Sequence, residues 1–166
     1  GLPLDRIHVA EPGVDPAEPA LASATGGALV CVAAVTPHKG HDVLLDALAT
    51  VPELSWHCTC VGSLDRDPEW AAGILRRAEA RVRFPGPLTG AELDREYAAA
   101  DLLVLASHTE TYGMVVTEAL ARGVPVIAAA VGGVPEALRE GRLLVPPGDP
   151  AALGIALRAW LEDAAL

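Results

Sequence analysis

Short apolar runs alternating with stretches of helical spacing constrain this 166-residue chain more than any single motif does. The apolar runs are Leu29–Val35, Trp56–Val61, Val82–Phe84, Asp101–Ala106, Val124–Ala129 and Leu143–Val145. Each is continuous rather than alternating, which is how strands covered on both faces read. Between them, His41–Thr50 places Val43, Leu44, Ala47 and Leu48 on one helical face. Pro68–Ala80 begins after Asp67, a natural N-cap, with Pro68 at the first helical position. Thr89–Ala99 carries Thr89 as cap with Glu92 three residues on. Met114–Arg122, Pro135–Arg139 and Asp149–Leu161, the last capped by Asp149, complete the helices. A β-α series of this kind predicts an α/β fold with a doubly wound parallel sheet. Such sheets bind ligands at the carboxyl ends of their strands. Residues 1–166 read as one domain in which 11–27, rich in Pro, Ala and Gly, is a loop or linker.

The core must be built from Ala, Val and Leu, because apolar residues make up 51% of the chain and aromatic ones only 4%. The net charge of −10 argues against general binding to nucleic acid or an anionic membrane, which needs clustered Lys and Arg. Any anionic ligand must be held by a local site working against the overall field. Cys31, Cys58 and Cys60 are odd in number and lie in strand-like runs, so buried free thiols in a reducing compartment are expected. Cys58 and Cys60 share a strand face, but the sequence offers that pair no evident further ligands and no metal site is assigned. No signal peptide and no bilayer-spanning apolar run is evident, and a cytoplasmic location is expected. The first residue is Gly1 rather than Met, so the chain is expected to be a fragment.

Glu110-Thr-Tyr-Gly-Met-Val-Val-Thr-Glu118 is the most informative segment. It follows a strand-like run, turns at Gly113 and opens a helix, which offers free N–H groups and a positive dipole end to an anion. Glu110 lies beside that site and Glu118 within the first turns of the helix. Carboxylates repel phosphate, so hydroxyl groups are their more natural ligands. Phosphate with several hydroxyls describes a sugar nucleotide. The loop after the first core strand, Thr36-Pro-His-Lys-Gly40, carries the chain's single lysine, Lys39, beside Gly40 at a helix start. A cation there suits a phosphate, and Thr36 adds a hydroxyl donor. His38 and His41 read as solvated or capping residues. Gly132-Gly133 falls at the same sheet edge and allows close backbone approach. Asp65-Arg-Asp67 has the form of a metal site, but Asp67 reads better as the cap of the next helix. His108 reads either as a lining residue of the same pocket or as an exposed loop residue. No Ser/His/Asp or Cys/His constellation and no G-x-x-x-x-G-K-[ST] loop is present.

In this order the motifs resemble the donor-binding C-terminal domain of retaining glycosyltransferases of the GT-B fold, family 4. The resemblance rests on Pro12–Asp15, Val32–Gly40, Val61–Ser63, Val82–Gly86 and Asp101–Ser107. It continues through Glu110–Gly113, Glu118–Gly123, Gly132–Glu136 and Leu144–Asp149. It implies that Lys39 contacts the donor diphosphate and that N–H groups near Gly113, Met114 and Val115 hold the distal phosphate. It implies Glu118 on the ribose hydroxyls and Glu110 on the sugar hydroxyls near the reacting carbon. The nucleobase is expected against backbone near Arg83 and Phe84, with Leu88 as an apolar wall. The implied reaction is transfer of a hexose from a nucleoside diphosphate sugar with retention, with no metal or other cofactor.

Ala33-Ala34 stands where that family usually has Gly-Arg, and Ala106 where it commonly has Pro. The resemblance also implies an N-terminal acceptor domain outside this chain. That domain would be its partner and would carry any peripheral membrane contact. The isolated chain is then expected to bind donor without turnover. The acceptor stays open, and so do two other readings: a non-catalytic nucleotide-binding module, and another GT-B enzyme such as a sugar-nucleotide epimerase.

Overall fold

The computed structural model describes residues 12–138 and 143–163, together with Pro3 and Arg6. Six parallel strands form one sheet: β1 (Ala28–Val32), β2 (His57–Val61), β3 (Val82–Gly86), β4 (Leu102–Leu105), β5 (Val126–Ala129) and β6 (Leu144–Val145). They lie in the order β3-β2-β1-β4-β5-β6. The helices are α1 (His41–Leu48), α2 (Pro68–Arg77), α3 (Ala91–Ala98), α4 (Met114–Ala121), α5 (Val134–Leu138) and α6 (Pro150–Asp163). A 3-10 turn, Pro37–Lys39, precedes α1. Every expected strand and helix is present, with shifted ends. β1 stops at Val32 rather than Val35, yet Ala33 and Val35 still donate backbone hydrogen bonds to Val61 and Ser63 across from them. The final turn of the fifth expected helix, at Arg139, lies outside the described residues.

The sheet separates two cores. Leu29, Cys31, Leu102, Val104 and Ile127 point to the side of α1, α2 and α6, where they meet Leu44, Leu48, Ile74, Leu153 and Leu157. Val30, Leu103, Leu105, Val126 and Ala128 point to the side of Tyr97, Val116, Ala119 and Val134. Alternate residues of β1 and β4 therefore feed opposite cores, which explains why these runs are apolar throughout.

Two expected caps hold: Asp67 Oδ1 accepts from Trp70 N–H at 3.1 Å, and Asp149 Oδ1 from Ala152 N–H at 2.9 Å. The third does not. Gly90, at φ 52°, is the N-cap of α3, and no side chain caps that helix. Thr89 stands one residue too early, and only its carbonyl is used, by Glu92 N–H.

The segment read as a linker is docked. Ala20 and Leu21 donate backbone hydrogen bonds to the carbonyls of Arg122 and Ala98. Buried Asp101 accepts from Ser23 N–H at 2.5 Å, Ser23 Oγ at 2.6 Å and Ala28 N–H at 2.8 Å. Asp101 thus precedes β4 rather than starting it, and its carboxylate latches residues 23–28 to the sheet.

Candidate functional site

The strand order changes direction between β1 and β4, so the loops leaving these neighbours diverge to opposite faces and leave a crevice. The loop after β1 carries Lys39 and the loop after β4 carries Glu110, and the two side chains meet across that crevice. Lys39 Nζ lies 2.7 Å from Glu110 Oε1, which also accepts from buried Ser107 Oγ at 2.8 Å. Both contacts fall on one oxygen, which leaves Oε2 as the atom able to accept from a ligand. The pair is largely shielded, with side-chain exposures of 29% and 11%.

Backbone contacts of glycine hold these loops together. Gly40 has φ 64°, and a Cβ there would overlap the Ala106 carbonyl, so the β1 loop lies directly on the end of β4. Gly132 has φ 52°, and a Cβ there would overlap the Glu110 carbonyl. Gly133 N–H donates to Thr111 O at 3.1 Å, and His108 N–H to His38 O at 2.9 Å. The Gly132-Gly133 pair thus seats the segment carrying Glu110. His108 is exposed, with its ring against Gly148.

α4 begins at Met114 behind Gly113, which has φ 87° and gives the helix no side-chain cap. Its first N–H groups and its positive dipole end face the crevice side of the sheet, suited to an anion. One turn further on, Glu118 Oε2 accepts from Tyr97 OH at 2.8 Å. Burial, and then the Glu118 carboxylate, push the Tyr97 phenol above its ordinary pKa, so it remains a donor. The Arg122 guanidinium stacks 4.8 Å from the Tyr97 ring centroid, donates to Glu118 O at 3.0 Å and reaches Asp94 Oδ1 at 2.5 Å. Glu118 borders a cavity of about 980 Å³ lined also by Met114, Tyr97, Arg122, Asp94 and the segment Gly13–Glu18. Lys39 and Glu110 lie outside that lining.

Thr36 precedes the 3-10 turn in extended conformation and gives its carbonyl to Lys39 N–H. The Arg83 side chain turns to α3, where both Glu96 oxygens lie 2.8 Å away, and to Thr59 Oγ1 at 3.2 Å. Phe84 packs against the α1-side core, its ring 6.2 Å from that of His41. Leu88 packs against the opposite core. Val115 is half-buried beside it. Sequence reasoning missed Tyr97, Ser107 and Asp101, since their partners become neighbours only through the sheet.

Two readings of the core are corrected. His41 is neither solvated nor a cap but 1% exposed, with Nε2 3.9 Å from Cys31 Sγ. Cys58 and Cys60 do share a face, with sulfurs 4.0 Å apart, and Cys60 does have further partners, Cys31 and His41. Hydrogen bonding from Cys60 holds the Cys31 thiol well below its ordinary pKa, with His41 adding to the effect, and the same bond pushes Cys60 up.

Residues 26–163 match the family model for glycosyl transferases group 1. The chain is 40% identical to a D-inositol 3-phosphate glycosyltransferase of Mycolicibacterium gilvum, over 82% of this chain and 34% of that protein. It is 35% identical to the protein of the same name from Salinispora tropica, over 96% and 39%. Among solved structures it superposes on the Anabaena protein HepE, crystallised with UDP and glucose, at a TM-score of 0.74. That match has 30% identity and covers 84% of this chain and 40% of HepE. A second HepE structure, with UDP-glucose, gives the same TM-score at 29% identity, covering 86% of this chain and 43% of HepE. The chain thus spans about two fifths of the length of these relatives.

Proposed function

Since this chain belongs to the glycosyl transferases group 1 family and has the α/β architecture of its GT-B members, we propose that it forms the donor-binding half of a retaining hexosyltransferase. The observation that carries this reading is the Lys39–Glu110 pair, set between β1 and β4 beside the uncapped start of α4. A nucleoside diphosphate sugar supplies a matching group at each position. Its ribose hydroxyls donate to Glu118, in the cavity closed by Gly13–Glu18. Its diphosphate lies over the N–H groups near Gly113, Met114 and Val115, where the helix dipole favours negative charge.

Lys39 leaves Glu110 or shares it, and places its ammonium on the diphosphate. This offsets charge on the leaving group without a metal. Glu110 Oε2 accepts from the hydroxyls of the transferred sugar, while Ser107 keeps Oε1 in place. HepE was crystallised with UDP and with UDP-glucose, which supports a uridine nucleotide as the first donor to try. The acceptor site, and with it turnover, is assigned to an N-terminal domain of a longer protein.

Calorimetry of the chain with UDP, GDP and ADP, each free and as the glucose conjugate, tests the reading. One nucleotide is expected to bind in the micromolar range, with the sugar conjugate tighter. Lys39→Ala removes a charged hydrogen bond of about 1.5–3 kcal/mol, so a loss of roughly 10- to 100-fold in diphosphate affinity is expected. Unchanged affinity removes Lys39 from the site. Binding of the nucleotide with no gain from the sugar favours the non-catalytic module instead.

A further inference from the structure

The chain has three cysteines, and the fold brings all of them to one point in the core beside a buried histidine. Cys31 on β1 and Cys60 on β2 are register partners. Cys58 lies two residues back along the same face of β2, its sulfur 4.0 Å from that of Cys60. His41, the first residue of α1, closes the group from above the sheet, and Cys31, His41 and Cys60 offer ligand atoms all within 4.8 Å of one another. Each of the four residues is 1% exposed. His41 Nδ1 has no hydrogen-bond partner among the described residues, so the ring's polar contact is the one Nε2 makes with Cys31 Sγ.

We propose that Cys31, His41 and Cys60 bind one zinc ion, with Cys58 turning about its Cα–Cβ bond to complete a tetrahedron. Thiolate sulfur and imidazole nitrogen are the ligands zinc prefers in closed structural sites. Zinc–sulfur and zinc–nitrogen bonds of about 2.3 and 2.0–2.1 Å set ligand atoms roughly 3.4–3.8 Å apart in a tetrahedron. The separations here, 3.9 Å for Cys31–His41 and at most 4.8 Å within the triad, contract to that size by side-chain rotation alone. Two thiolates, Cys31 and Cys60, neutralise the ion, and Cys58 as the third thiolate leaves the closed site with one negative charge shared among the sulfurs. Each ligating thiol gives its proton to solvent as its sulfur–zinc bond forms, and nothing is oxidised or reduced. The site is sealed, so the ion enters as the chain folds. Its ligands sit at the base of the loop that carries Lys39, so the ion would tie β1, β2 and α1 together beneath that loop.

The test is to refold the full chain with reduced thiols in the presence of zinc, of cobalt, or of chelator alone. One zinc per chain is expected, together with near-ultraviolet thiolate-to-cobalt charge transfer in the cobalt form and a lower melting temperature in the chelated form. Cys60→Val keeps an apolar side chain of similar size, so the fold survives by circular dichroism, and loss of the metal and of the cobalt bands is expected. Glu110→Gln leaves metal content unchanged. Refolded protein with far less than one zinc per chain and no thiolate–cobalt absorption overturns the proposal and leaves a cluster packed for burial alone. So does metal content that Cys60→Val does not reduce.

Discussion

At the scale of single residues, the sequence disclosed the charged groups whose meaning depends on position along the chain. Lys39 is the lone lysine after a strand, and Glu110 and Glu118 flank a helix start, so each could be placed at the sheet's carboxyl edge before any contact was known. Tyr97 carried no such signal. Its hydroxyl meets Glu118, 21 positions away, only because α3 and α4 pack on the same face. That contact has a consequence for binding. Tyr97 holds one oxygen of Glu118 and so directs the other toward the cavity. Tyr97→Phe removes a hydrogen bond to a carboxylate while keeping the ring under Arg122. A loss of about 3- to 10-fold in UDP affinity is expected, below the full worth of a charged hydrogen bond because Glu118 itself remains. Since Tyr97 acts through Glu118, adding Tyr97→Phe to Glu118→Gln should cost little more than Glu118→Gln alone. Titration of the four proteins with UDP checks this. Full additivity would mean that Tyr97 contributes to nucleotide binding by some route other than Glu118.

At the scale of elements, the type of every strand and helix could be read from periodicity, and the errors fall at ends, where one backbone torsion decides. Thr89 has the composition of a capping box, yet Gly90 takes the cap because the chain enters α3 with φ 52° there, which a glycine accepts and a threonine resists. The reach of the loops was likewise hidden, because a glycine in sequence does not say whether it is a plain turn or a point of contact. Gly132 and Gly123 separate the two cases. Both have positive φ, 52° and 71°, but a Cβ on Gly132 would strike the Glu110 carbonyl whereas one on Gly123 would meet open space. Gly123→Ala therefore costs about 1–2 kcal/mol of left-handed backbone strain and should leave UDP-glucose binding intact. Gly132→Ala carries the same strain and must also push the Glu110 segment away. It is expected to melt lower than Gly123→Ala and to weaken UDP-glucose binding more than UDP binding, because Glu110 is assigned to the sugar. Melting curves and titrations of the two variants side by side check the contrast. Equal effects on both ligands would separate Gly132 from the sugar subsite.

At the scale of the whole molecule, the segment read as a linker proves to be a wall of the cavity. Richness in Pro, Ala and Gly described its irregular local conformation and said nothing of where it docks, because the docking is made by groups elsewhere. Ala20 and Leu21 hang on carbonyls at the ends of α4 and α3, and Ser23 and Ala28 on the Asp101 carboxylate. Trp160 of α6 adds a bond from its indole N–H to Gly26 O at 2.9 Å from the other side of the sheet. Of these anchors, Asp101 is the one whose loss would be felt most. It is 4% exposed, and one of its donors, Ala28 N–H, is buried at the start of β1. Asp101→Ala strands that donor, at a cost of about 1–3 kcal/mol, and frees the Ser23 end of the segment. For a domain of this size each kcal/mol lowers the melting temperature by roughly 2–4 °C. The segment should also open more often than the fold as a whole, so cleavage before the exposed Leu21 by thermolysin should accelerate beyond what the melting shift explains. Ser23→Ala, which removes only the side-chain half of the latch, should speed that cleavage with a smaller melting shift. If Asp101→Ala melts lower but is cut before Leu21 no faster than the parent, the carboxylate supports β1 alone, and the cavity wall is held by the backbone bonds of Ala20 and Leu21.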